Sequence, residues 1–178
     1  MRHPAIRFTT ALASALAASI AAAQTPPIKP GLWEIRSERQ IDGNAATPPG
    51  DAMKNMKPEA RARVEAMMKQ KGVAVGNDGA NRVCFTKDTL VAGRWQNGAS
   101  CKTDYGTRTA SAWKWRSVCE SSGTSVEGEA RFTDAENYTV STTSRHAFRG
   151  ETKTTVTTIK AHRLGADCGD LKPIEPRH

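Results

Sequence analysis

The sequence predicts a mainly β chain: a curved antiparallel meander, open or a partial barrel, with one inserted amphipathic helix. Three observations predict it. From Asn81 onward, apolar and polar residues alternate in runs rich in Thr, Val, Tyr, Phe and Trp, the residues strands prefer. The links between these runs are short, as consecutive antiparallel strands require. Before Asn81 a single segment, Pro58–Lys71, carries helical rather than alternating spacing.

The chain has 178 residues, enough for one domain and too few for a polytopic membrane protein or a TIM barrel. Residues 1–23 read as a signal peptide. Arg2 and Arg7 give a basic start, Phe8–Ile20 is a short uncharged run, and Ala21–Ala23 supplies small residues for cleavage before Gln24. The run is shorter than the roughly 20 apolar residues that span a bilayer. No Cys follows the expected cleavage after Ala23, which argues against a lipid anchor, and the periplasm is the expected location.

Residues 24–168 read as the single exported β domain. Gln24–Pro30 is an extended lead-in, Gly31–Ile41 a first strand and Asp42–Gly50 a loop with Asp-Gly and Pro-Pro signals. Pro58 suits the first turn of the helix and Gly72 the position after its end. Ala60, Val64, Met67 and Met68 make an apolar stripe, with Glu59, Arg61, Arg63, Glu65 and Lys69 opposite. Met53 and Met56 extend the segment as a preceding turn. The later strands are Arg82–Phe85, Lys102–Gly106, Ala112–Cys119, Ser125–Phe132, Tyr138–Phe148 and Thr152–Leu164. Trp113, Trp115, Ser117 and Cys119 share one face of their strand, and Arg149-Gly150 turns the last hairpin. Residues 169–178, with Pro173 and Pro176, read as a flexible tail.

Leu, Ile, Val and Phe together fall below the roughly 20% of a well-filled core, and the mean hydropathy is −0.56. Disulfides are therefore expected to hold the fold. Cys84, Cys101, Cys119 and Cys168 all follow the signal segment, and an even count in an oxidising compartment reads as bridges. The expected pairs are Cys84–Cys101, closing a short loop, and Cys119–Cys168, tying down the last strand. If the stretch between Cys101 and Cys119 is a hairpin turning near Ala110, Cys101–Cys119 is the rival. The Cys-x-x-Cys spacing of redox and zinc sites is absent.

Several segments together resemble a known family: Lys29-Pro30-Gly31-Leu32-Trp33-Glu34-Ile35, the Pro-Glu-x-Arg helix start at Pro58–Arg61, Cys84-Phe85-Thr86, and Arg163-Leu164-Gly165-Ala166-Asp167-Cys168. In this order, behind a signal peptide, they are similar to the exported bacterial proteins grouped as domain of unknown function 3617. The resemblance covers nearly all of the exported chain. It implies a disulfide-bonded, mostly antiparallel β domain and supplies no activity, ligand or catalytic residue.

The chemistry-bearing residues point away from catalysis. The exported chain holds His146, His162 and His178. With a turn at Arg149-Gly150, His146 lies opposite Lys153 and His162 opposite Asn137, about 30 Å apart along the strands and on opposite faces. No Gly-x-Ser-x-Gly, His-Glu-x-x-His or phosphate-loop pattern occurs. Gly76-Asn77-Asp78-Gly79 reads as a turn, and Asp167 and Asp170 as solvated loop charges. A small hydrolase built on the two acids is the weaker alternative.

The expected role is non-catalytic, with no cofactor: periplasmic binding or association with the envelope. Trp33, Trp113 and Trp115 are candidates to line an apolar ligand site, or else simply fill the core. Met53, Met56, Met67 and Met68 are a candidate Cu(I) set, since thioethers favour that ion, against the blander reading of gap-filling. The net charge of +8, or +6 without Arg2 and Arg7, favours an envelope lipid or an anionic polymer as partner. Arg61, Arg63, Lys69 and Lys71 form the densest basic patch. Nucleic acid is not expected, for want of a stacking motif.

Overall fold

The computed structural model describes residues 25–47, 53–76, 78–91 and 101–174. The signal-peptide reading of 1–23, the end of the loop at 48–50, and His178 lie outside them.

The domain is one nine-stranded antiparallel sheet that stays open. In chain order its strands are β1 (Gly31–Ile41), β2 (Asn44–Ala45), β3 (Val73–Val75), β4 (Asn81–Phe85), β5 (Lys102–Arg108), β6 (Ala112–Cys119), β7 (Thr124–Asp134), β8 (Asn137–Phe148) and β9 (Glu151–Gly165). Helix α1 is Pro58–Gln70 and α2 is Lys87–Val91. Strands β5 to β9 form the expected meander. The sheet then continues from β9 to β1, β4 and β3, with β2 hooked onto β1. β1 thus enters between β9 and β4.

The register explains which residues meet. His146 faces Lys153 and His162 faces Asn137, as the hairpin turn requires. Arg149 and Gly150 both take positive φ, 53° and 83°, the pair of left-handed residues that a tight two-residue hairpin needs. One face of the sheet is dry. Across β4, β1, β8, β7 and β6 run Phe85, Trp33, Tyr138, Phe132 and Trp113, each ring centroid 5.2–6.2 Å from the next. Ala161 of β9, opposite Ile35 on β1 and Tyr138 on β8, is buried in the same face. Burial pushes the Tyr138 phenol far above its usual pKa. Leu90 of α2, with Ile28 and Ile174, packs on the same core.

The opposite face is an ion-pair lattice. Glu127 on β7 lies 4.0 Å from Arg116 on β6 and 3.5 Å from Arg145 on β8. Glu34 on β1 bonds Arg36 at 3.1 Å and faces Arg82 of β4 at 4.0 Å, and Arg36 also bonds Asp78. The exposed pairs among them, such as Arg116–Glu127, add little stability singly. They do oppose a register slip, which would set like charges together.

Gly128 illustrates how the sheet admits its large rings. A Cβ there would lie 2.2 Å from the Trp115 ring, which lies on the Gly128 backbone. Strand propensity alone favours Gly→Ala by roughly 0.5–1 kcal/mol, yet the clash wins. Gly128→Val is expected to lower stability by about 1–3 kcal/mol through overpacking, with a loss of near-UV circular dichroism from Trp115. An unchanged urea midpoint would contradict this packing.

The structure corrects the disulfide pairing. The bridges are Cys84–Cys168 and Cys101–Cys119, so neither Cys84–Cys101 nor Cys119–Cys168 forms. β5 and β6 are antiparallel neighbours with Lys102 opposite Val118, so the next pair outward is Cys101 and Cys119. In the other direction, Cys84 faces Leu32 and Leu32 faces Gly165. The chain leaving β9 therefore crosses the end of β1 and reaches Cys84. This follows from the insertion of β1, which local pattern does not reveal.

Two further differences concern the helix and the tail. The Ala60, Val64, Met67 and Met68 stripe was expected to pack, but no residue of α1 is buried. The helix rests on β3 at the sheet border rather than over the dry face, leaving Val64 and Met68 half-buried and Met67 52% exposed. Residues 169–174, read as part of a flexible tail, are docked. Leu171 is buried, and Ile174 donates its N–H to Cys84 O at 3.2 Å.

Candidate functional site

The Lys29–Ile35 motif forms a clasp. Pro30 O accepts a bond from Arg163 Nε at 2.9 Å, and Lys29 O accepts one from Trp33 Nε1 at 3.1 Å. Lys29 N bonds Ala135 O in the β7–β8 turn. Gly31 has φ +135°, and a Cβ there would lie 2.1 Å from Gly165 O, so no other residue fits without moving β9. Pro30 and Gly31 thus fasten the start of β1 to the end of β9, while Lys29 ties it to the β7–β8 turn. The segments that carry the family resemblance hold the fold, which is why they occur as far apart as Pro30 and Arg163.

A cleft of about 420 Å³ opens beside this clasp, lined in part by Pro30, Phe85, Ala166 and the Cys84–Cys168 bridge. Lys29 and Arg163 bring positive charge to its lining, and Thr86 a hydroxyl. Glu136 positions both cations, at 2.9 Å from Lys29 Nζ and 3.3 Å from Arg163 Nη1. The Lys29 ammonium holds the Glu136 carboxyl below its usual range. Asp134 is lowered too, chiefly by the Glu136 N–H it accepts at 2.6 Å. Among the described residues that line it there is no His, Asp or Glu.

These lowered carboxyls give a sign to the acid response. A group whose folded pKa is depressed contributes stability above its unfolded pKa, about 4, and loses that contribution as pH falls through the folded value. Thermal melts should therefore show the clasp weakening below about pH 4. Glu136→Gln should narrow the gap between the melting temperatures at about pH 7 and about pH 3. An identical gap in both proteins would remove Glu136 from the clasp.

The other predicted residues are dispersed. Trp33 and Trp113 belong to the aromatic row, and Trp115 lies on Gly128. None of the three lines the cleft. Met53 is buried, Met68 half-buried, and Met56 and Met67 are exposed at 40% and 52%. Among the described residues no group of His, Cys, Asp or Glu is arranged to hold a metal ion. His146 Nδ1 meets Thr124 Oγ1 at 3.0 Å. Asp167 accepts the Gly169 N–H at 2.8 Å, a turn bond. Sequence reasoning missed Lys29 and Arg163 as site residues and also Arg108, whose guanidinium stacks 3.7 Å from the Tyr105 ring centre. The Lys-Pro-Gly motif was the available signal for Lys29. The closing Arg163–Cys168 motif was the signal for Arg163, but its role depends on β9 lying beside β1.

Fold and cleft together define a small β domain, stapled by two disulfides suited to an oxidising, exported location, with a cation-flanked apolar cleft at one sheet end. No described helix is long and apolar enough to cross a membrane. The chain belongs to the family described as protein of unknown function (DUF3617), whose model matches residues 28–168. That span opens at the clasp and closes on Cys168. The chain is also 30% identical over 115 residues to an uncharacterized protein in the lpd-3 5′ region of Pseudomonas putida, covering 61% of this chain and 80% of the relative. No solved structure matches it.

Proposed function

We propose that this is a periplasmic protein, exported by a signal peptide cleaved after Ala23, with a non-catalytic binding role in the envelope. Its ligand is a small, mainly apolar molecule bearing an anionic group. The observation that carries this reading is the cleft, where Pro30, Phe85 and Ala166 offer apolar contact while Lys29 and Arg163 supply positive charge. An apolar body fills such a cleft and its charged end is drawn to the cations, whose fixed positions lower the ordering cost of binding.

Native mass spectrometry of the protein purified from periplasm with its own leader tests it. The expected spectrum shows cleavage before Gln24, the loss of about four hydrogens for two disulfides, and an organic adduct. The adduct should disappear in Ala166→Phe, which fills the cleft. Retention of the adduct by that variant would place the ligand elsewhere. A copper-mass adduct would favour the methionine set instead. A bare mass, with no melting shift on adding a medium-chain fatty acid, would end the reading.

A further inference from the structure

We propose that α1 is a docking surface for anionic phospholipid bilayers, an inference that does not rest on the cleft. Between Met53 and Gly72 six Lys and Arg stand against two Glu, so most of the net positive charge that remains after the leader is gathered on this arm. One of those acids, Glu65, is paired with Arg61 at 2.6 Å. The helix is unusual in its fold: none of its residues is buried, and its packing is against β3 at the sheet border.

Its exposed face carries cations with a thioether among them. Arg63, Met67 and Lys71 follow at four-residue spacing, so an exposed thioether stands between two cations. Met56, 40% exposed, extends the apolar material at the N-terminal side. Long cationic side chains reach head-group phosphates while Met67 enters the boundary beneath them. On the sheet, some outer charges are met in cross-strand pairs such as Arg116–Glu127 and Lys160–Glu38. Exposed cations with Met67 between them match a lipid surface better than a purely ionic polymer, which has no use for Met67.

Co-sedimentation of the intact, oxidised protein with vesicles tests this. Vesicles of phosphatidylcholine with about 30% phosphatidylglycerol should bind it at least about tenfold better than phosphatidylcholine alone, less so at high salt. Arg63→Gln with Lys71→Gln should weaken binding about thirtyfold, near fivefold per cation. Lys114→Gln with Lys153→Gln removes the same charge from the sheet and should change binding less than about threefold. Met67→Gln should weaken what binding survives at high salt. Both pairs lie on exposed positions, so circular dichroism should confirm that each variant folds. Equal losses from the two pairs would overturn the proposal. So would equal binding to both vesicles, or retention on an acidic polysaccharide without vesicle binding.

Discussion

Replacing Cys84 and Cys168 together by Ala is expected to lower stability by about 4–5 kcal/mol, the largest effect of any change to this chain. The bridge joins residues 84 positions apart, and loop closure of that length withholds about 4–5 kcal/mol of entropy from the unfolded chain. The Cys101–Cys119 bridge spans 18 positions and should contribute about 3 kcal/mol by the same relation. Against a typical stability of roughly 5–15 kcal/mol, the first loss brings a thin-cored domain close to unfolding. Urea titrations followed by tryptophan fluorescence read both variants. If removing Cys101–Cys119 costs more than removing Cys84–Cys168, loop entropy is not what sets the order. The long bridge also forms part of the cleft wall and holds residues 169–174 against β4. Its loss should therefore abolish the ligand adduct in native spectra even where the protein still folds in the cold.

Trp33→Ala is the second large effect, expected at about 3–5 kcal/mol. Trp33 is 0% exposed, the largest side chain wholly inside the protein. It touches the rings of both Phe85 on β4 and Tyr138 on β8 and so joins Phe85 to the rest of the aromatic row. Its indole N–H also satisfies Lys29 O, which anchors the clasp. Trp33→Phe separates the two contributions. It keeps an aromatic ring but leaves Lys29 O without that donor, for an expected loss of about 1–3 kcal/mol. Equal destabilisation by Ala and Phe would mean that the hydrogen bond, not the packing, dominates.

Local pattern carried the secondary structure a long way. The first strand, the Ala112–Cys119 strand and the start of the helix at Pro58 lie where periodicity and end signals put them. Strand alternation read the dry face of β6 correctly, with Trp113, Trp115, Ser117 and Cys119 buried. The shorter elements were not legible. β3 is only Val73–Val75 and α2 only Lys87–Val91, each too short to show a period. The helix illustrates a different limit. Its apolar stripe predicted a packed face, but spacing states only which residues share a side, not whether the sheet offers that side a partner.

The candidate site was legible in its pieces and not in its assembly. Lys29, Pro30, Cys84, Phe85, Arg163 and Ala166 all stood in segments the resemblance singled out, yet no spacing brought them together. What the sequence determined alone was the character of the chain: four cysteines in a chain poor in aliphatic side chains, and a meander from Lys102 to Gly165. These are properties of neighbours within a dozen or so residues, where hydrogen-bond period and turn chemistry act directly. What only the tertiary structure decided was where β1 goes. Its insertion between β9 and β4 sets Gly31 against Gly165, carries Cys168 across to Cys84, and forms the cleft from chain ends more than a hundred residues apart. That choice depends on how the whole sheet packs, with Trp33 buried against Phe85 and Tyr138. It is a competition between whole arrangements, and no local window of the chain records its outcome.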